Sequence, residues 1–230
     1  MFDENELSII TNNIGSEKPP TDKILSESWD VISILKKNLD ESSDTEEIYD
    51  VSIDALNRFR HDFSFIAIFR EDRKYSTAVR IRVDSDLVNR VEDYARKMMP
   101  EVTVMRYRIP IYEEGRLFRR FLLESKKPLI TDNIKINDDG RLIKASMDEI
   151  YDNLVSLDGP LKLLLPAFKR IVPYKSAMSA HLFVSDIAVG NIGFASRKVM
   201  SEENLSALVI VSKLVGEKLD KIGFAKSYSR

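Results

Sequence analysis

The stretch HLFVSDIAVGNIGFASRK, residues 181–198, decides how the rest of the chain is read. Two apolar runs flank Ser185-Asp186, a pair that favours turn backbone, so the stretch reads as a β-hairpin. Gly190 and Gly193 interrupt the second run. A missing side chain there permits close approach of a helix, a ligand or a neighbouring backbone, or marks a bulge. Beyond the hairpin, Ser201 is a natural N-cap, and Glu202 and Glu203 stand where the helix dipole favours acid. A long helix follows. Leu205, Leu208, Val209, Ile210, Val211, Leu214, Val215, Leu219 and Ile222 are more apolar positions than one stripe needs. Ile210 and Val211 in particular imply a second contact, with the N-terminal helices or with another subunit.

Working back from the hairpin, residues 1–22, with Pro19-Pro20, read as a flexible lead-in with at most one helical turn. Thr21 or Asp22 can cap a helix whose stripe is Ile24, Val31, Ile32, Leu35 and Leu39. A second stripe follows: Ile48, Val51, Ala55, Leu56 and Phe59. FSFIAIF (63–69) is a buried strand, and EDRK (71–74) a turn. STAVRIRV (76–83) alternates, with Val79, Ile81 and Val83 on one face and Arg80 and Arg82 on the other. A helix is expected from Asp84 or Ser85 to about Met99. VTVMRYRIPI (102–111) is a further alternating strand that pairs Arg106 with Arg108 on one face. A short amphipathic helix (115–126), a strand (128–132), a turn (136–140) and a helix (146–155) complete the middle, and 161–172 is apolar but broken by Pro166. Helices and hairpins without regular βαβ repetition indicate an α+β domain with an antiparallel sheet.

The 230 residues are enough for one large domain, and 43% apolar residues supply a sizeable core. Basic and acidic residues nearly cancel (35 and 37), which argues against a nucleic-acid binder. The chain has no cysteine. That excludes disulfides, thiolate metal sites and thioether-linked cofactors, and fits a reducing cytoplasm. The acidic start MFDENELSII lacks the features of a signal peptide, and no run approaches the ~18 apolar residues of a membrane span. A cytoplasmic location without membrane insertion is the expectation.

Two segments carry a family resemblance. IPIYEEGRLFRRFLLESKKPLITDNI (109–134) places a Lys127-Pro128 corner after a short helix and Asp132 at a strand end. KSAMSAHLFVSDIAVGNIGFASRKVMSEENL (175–205) sets Gly190 early in the second strand of a hairpin, a Ser196-Arg197 exit and an acidic cap before the last helix. Together they resemble a GAF domain, a small-molecule-sensing module of signalling proteins, and the pattern covers 44–222. The division this suggests is a lead-in (1–22), an N-terminal helix (23–43), a GAF-like domain (44–225) and a tail (226–230). The resemblance implies an antiparallel sheet flanked by helices, with the N- and C-terminal helices packed together. It also implies a non-catalytic sensory role: a ligand held under 133–176 and a signal passed through the terminal helices. A homodimer through 24–60 and 201–222 and a histidine kinase or other signalling output as partner are the corresponding expectations. A protein-interaction or dimerisation module whose pocket is filled by its own 161–172 is the alternative. A covalently held bilin is not expected without cysteine; a non-covalent haem stays open but is not favoured.

Five residues are candidates for lining a ligand pocket. His181, where family members often carry proline, is either a pocket imidazole, haem ligation included, or a half-buried strand histidine with an ordinary partner. Arg80, Arg82, Arg106 and Arg108 either meet an anionic ligand or form a solvated, ion-paired outer face. His61, at the end of a helix, is favourable there on dipole grounds alone. No phosphate loop, nucleotide-binding glycine pattern or Ser-His-Asp setting is visible, and two histidines without cysteine give no zinc spacing. No enzyme is expected.

Overall fold

The computed structural model describes residues 3–16, 18–70, 73–83, 108–137, 140–155 and 165–224, with Asn89, Asp93 and Lys162 besides. Three helices open the chain: α1 (Glu4–Asn12), α2 (Ser26–Glu41) and α3 (Thr45–Arg58). Strands β1 (Phe63–Arg70), β2 (Tyr75–Val83) and β3 (Arg108–Pro110) follow, then α4 (Leu117–Leu122), β4 (Leu129–Thr131) and β5 (Ile143–Ala145). Helices α5 (Met147–Asn153) and α6 (Leu165–Ile171) lead to the hairpin β6 (Ser176–Val184) and β7 (Ile187–Ser196), and α7 (Glu202–Lys221) ends the described elements. The strands form one sheet in the order β3-β2-β1-β7-β6-β4-β5. Every pairing is antiparallel except β4 with β5. The fold is α+β.

Each face of the sheet has its own core. On one face, Ile66, Ile68, Met178, Leu182 and Ile192 join the stripes of α2, α3 and α7 in a single cluster. Ile210 and Val211 are fully buried in it, so the surplus apolar surface of the last helix is covered within the chain by α2, α3 and the sheet. On the other face, Phe69 and Leu129 pack under Leu117, Phe118, Phe121 and Leu122 of α4. The spacing of those four side chains matches the amphipathic reading of 115–126.

The hairpin turns on Ser185 (φ 47°) and Asp186 (φ 64°). Positive φ at both central residues suits the right-handed twist of the strands it joins. Both glycines of β7 are explained by backbone: a Cβ on Gly190 would lie 2.1 Å from the Ala67 carbonyl oxygen, and one on Gly193 2.4 Å from that of Met178. The close approach is therefore to neighbouring strands. At the start of α7, Asn204 Oδ1 accepts from the Ser201 backbone N–H at 2.9 Å.

Three expectations are revised. The lead-in contains a nine-residue helix, α1, with a reciprocal capping box between Asp3 and Glu6. Ile10 is buried against the main core, and the Trp29 indole donates to the Ser16 carbonyl at 3.0 Å, fixing the connection. Helix α2 starts later than Thr21 or Asp22 implied: Leu25 occupies its cap position without a side-chain bond. Strand β2 does not alternate cleanly either. Its register against β1 shifts between Ile66 and Ala67, where Ile66 faces Arg80 and Ala67 faces Ala78. The extra residue, Val79, packs towards the α3 and α7 side instead of standing with Ile81 and Val83. Arg106, residues 102–107 of the expected strand and most of the expected helix 84–99 lie outside the described residues; Asn89 and Asp93 are helical.

Candidate functional site

The face of the sheet under α4 carries a buried polar row. Ser76 on β2, Asn191 on β7 and Ser179 on β6 are 2%, 6% and 6% exposed. The Asn191 side-chain N–H donates to Ser179 Oγ at 2.9 Å, and Ser179 Oγ donates to the Ile192 carbonyl at 3.0 Å. Ser76 Oγ reaches Asn191 Oδ1 at a long 3.4 Å. Asn191 stands opposite Ala67 on one side and His181 on the other, so its amide spans the middle of the face above a small residue. Buried polar groups are kept only where hydrogen bonds offset their desolvation. An apolar set would fill this position without that cost, which marks the row as the candidate site.

His181 borders the row and is 4% exposed. Its Nε2 lies 2.8 Å from the Phe121 carbonyl oxygen. A carbonyl only accepts, so the proton sits on Nε2. Nδ1 is buried without a partner among the described residues. The ring stacks on Phe183 and meets Phe121 edge-on. Burial pushes its pKa down to about 4, against the opposing pull of the Phe121 hydrogen bond. A neutral imidazole therefore pins the last turn of α4 to β6. Iron ligation through Nε2 would require that bond to break.

The arginines lie elsewhere. Arg80 Nε donates to Asp50 at 2.6 Å and its Nη2 to Glu46 at 2.7 Å, while Arg82 reaches Asp54 at 3.1 Å. Glu46, Asp50 and Asp54 follow one another at helical spacing of four along α3. The two arginines thus face the helix side and fasten β2 to α3, with carboxylates the sequence reading had not named as partners. The Asp50 carboxyl is lowered by its hydrogen bond to Arg80. Arg108 is exposed on β3 at the sheet edge. The structure does not bring Arg80, Arg82 and Arg108 together with His181.

His61 lies against Phe194, ring centroids 4.0 Å apart, on the face away from the polar row. Burial pushes its pKa down to about 4, opposed by neighbouring Asp62. Asp62 itself accepts from Ser196 Oγ and from the Arg197 backbone and side chain, tying the start of β1 to the end of β7. Among the described residues, no group of three potential metal ligands exists and no helix is long and apolar enough to cross a membrane.

Ser76, Ser179 and Asn191 were not singled out from the sequence. Only Asn191 carried a clear signal, as a lone polar residue inside the otherwise apolar AVGNIGF (188–194). Strand period alone does not say which face is lined by protein on both sides.

No protein-family model and no curated protein matches the sequence. Solved structures do. The phycocyanobilin-bound GAF domain of a cyanobacterial phytochrome superposes with a TM-score of 0.54 at 13% identity, over 86% of this chain and 96% of that one. A methyl-accepting chemotaxis protein segment gives 0.52 at 13% identity, over 84% and 99%. The chromophore-binding domain of an unusual bacteriophytochrome from R. palustris gives 0.53 at 14% identity. The match takes in 88% of this chain, which spans 64% of that domain's length. At such identities the likeness rests on the path of the backbone. The sheet order, the helix layer on one face and the short helix on the other, together with these neighbours, establish that the chain has the GAF-domain fold.

Proposed function

We propose that the chain is a non-catalytic sensory domain. It would bind a small molecule on the sheet face that carries Ser76, Asn191 and Ser179, and signal through its terminal helices. The buried polar row carries this reading: few placed polar groups in an apolar surround are how small-molecule sites fix orientation. Three similar structures are bilin-bound or chromophore-binding domains of phytochromes, and a fourth belongs to a chemotaxis protein. Without cysteine, such a ligand here would be held without a thioether link. A ligand that binds only the native state raises the unfolding temperature. A thermal-shift screen of soluble metabolites is expected to give at least one saturable rise, lost in Asn191→Leu; stabilisation that is unchanged in that variant would place the site elsewhere.

The interaction-module alternative has one observation in its favour. The polar row is already almost fully covered in the free chain, as a self-filled pocket would be. A homodimer through 24–60 and 201–222 and a histidine kinase as output partner belong to the sensory reading. Helices α2, α3 and α7 already pack on one another within the chain, so a dimer would use their outer surfaces. Light scattering is expected to give twice the chain mass at tens of micromolar or roughly ten times that; a constant single-chain mass would end the dimer proposal.

A further inference from the structure

The charge of the site's surroundings narrows the kind of molecule it can take. On the sheet face under α4, His181 apart, the described strand residues include no acidic or basic side chain: the central positions are Ile81, Ala78, Phe65, Ala67 and Gly193 beside the polar row. The arginines that would neutralise an anion, Arg80 and Arg82, point to the opposite side and are engaged by α3 carboxylates. His181 is neutral and its one proton is committed to Phe121. A carboxylate or phosphate placed over the polar row would be a buried charge with no strand side chain to neutralise it, a costly arrangement. Of the described cations on the α4 side, Arg116 is engaged by Glu113 and Asn153, and Lys126 stands over Phe183 at the hairpin end.

Asn191 supplies the opposite preference. Its amide has two N–H donors and an oxygen with two lone pairs. Among the described residues one N–H is used at 2.9 Å, and the oxygen receives only the 3.4 Å contact from Ser76. A donor and most of an acceptor remain. Phe65 and Phe69 stand on the same strand face; Phe69 is already packed under α4, and the half-buried Phe65 ring is the one that suits a flat partner.

Building on the sensory reading, we propose that the molecule recognised on this face is uncharged and flat, and presents an adjacent donor and acceptor, as a carboxamide or lactam edge does, to Asn191. The reading distinguishes such a ligand from an anion of the same size, because the polar groups that face it are neutral.

Nicotinamide and nicotinate share a ring and differ in charge, so they probe this directly. Saturation-transfer NMR on the full chain with about 10 mM of each probe suits the weak binding expected of molecules this small. Nicotinamide is expected to give a signal about fivefold stronger than nicotinate, and to lose about tenfold in Asn191→Leu. Should Asn191→Leu fail to fold, Ser76→Ala removes a single hydroxyl and is expected to weaken the amide signal about threefold. A nicotinate signal equal to that of the amide, an amide signal indifferent to both substitutions, or no response to either probe overturns the proposal. Native mass spectrometry of the protein taken from cells separates the two levels. A bound anion that disappears in Asn191→Leu refutes neutrality and leaves the sensory reading intact, whereas silent probes together with a blank metabolite screen remove both.

Discussion

Gly216→Ala is expected to destabilise the protein by about 2–4 kcal/mol, against the direction that helix propensity alone dictates. In an open helix the change would add about 1 kcal/mol of stability. Gly216 lies inside α7, and a Cβ there would sit 2.2 Å from the Phe183 carbonyl oxygen. The obstructing atom is backbone in a paired strand, so it cannot turn aside as a long side chain would. The helix must lift from β6 or the strand must bend, and either opens the core around Leu182, Val211 and Val215. Urea unfolding followed by the fluorescence of Trp29, the sole tryptophan and 1% exposed, would measure this. For a chain of this length the melting temperature should fall by roughly 5–12 °C. A variant as stable as the parent would mean that α7 does not sit this close to β6.

Stability should also fall by about 2 kcal/mol between about pH 7.5 and about pH 5 through His181 alone. The folded protein holds this imidazole neutral, with its pKa near 4 in place of the usual 6.5, because burial disfavours the charged form. The unfolded chain takes up the proton as pH drops through about 6.5, while the folded chain resists until about 4. Stability is thus complete above the unfolded pKa and declines as pH falls towards the folded one. His61, lowered to a similar value by burial, acts in the same direction. The carboxyls with lowered pKa, Asp50, Asp62 and Glu203, contribute stability that is lost mainly below about pH 4.5, outside this window. His181→Gln keeps a donor able to reach the Phe121 carbonyl but cannot titrate. Its unfolding free energy from urea titration should therefore vary less with pH over this window, by about 2 kcal/mol. An unchanged slope would show that His181 is not held neutral in the folded state.

Much of the fold was legible because local signals agreed. The stripes of α3 and α7, the Ser185-Asp186 turn and the four apolar positions of α4 each followed from spacing, and all proved to be where the spacing put them. Helix α1 was missed because its anchor is not local. Ile10 is buried by a core that later helices build, and the Trp29–Ser16 bond joins residues on either side of the Pro19-Pro20 pair. Arg80 and Arg82 do stand opposite Ile81 and Val83, but the direction of Val79 was hidden by the bulge, since strand period fixes a face only while the register is unbroken. The polar row was hidden for a different reason. Ser76, Ser179 and Asn191 come from three strands that meet only after the sheet has formed.

The place of β1 between β2 and β7 also sets an order of events during synthesis. Phe63 pairs with Ala195, more than half the chain later. Until the last hairpin leaves the ribosome, the hydrogen-bonding edge of FSFIAIF has no native partner on that side and presents a flat, apolar template to other chains. Contacts this distant in sequence also slow folding. The two glycines let β7, the last of the described strands in chain order, lie close to β1 and β6 where it closes the sheet.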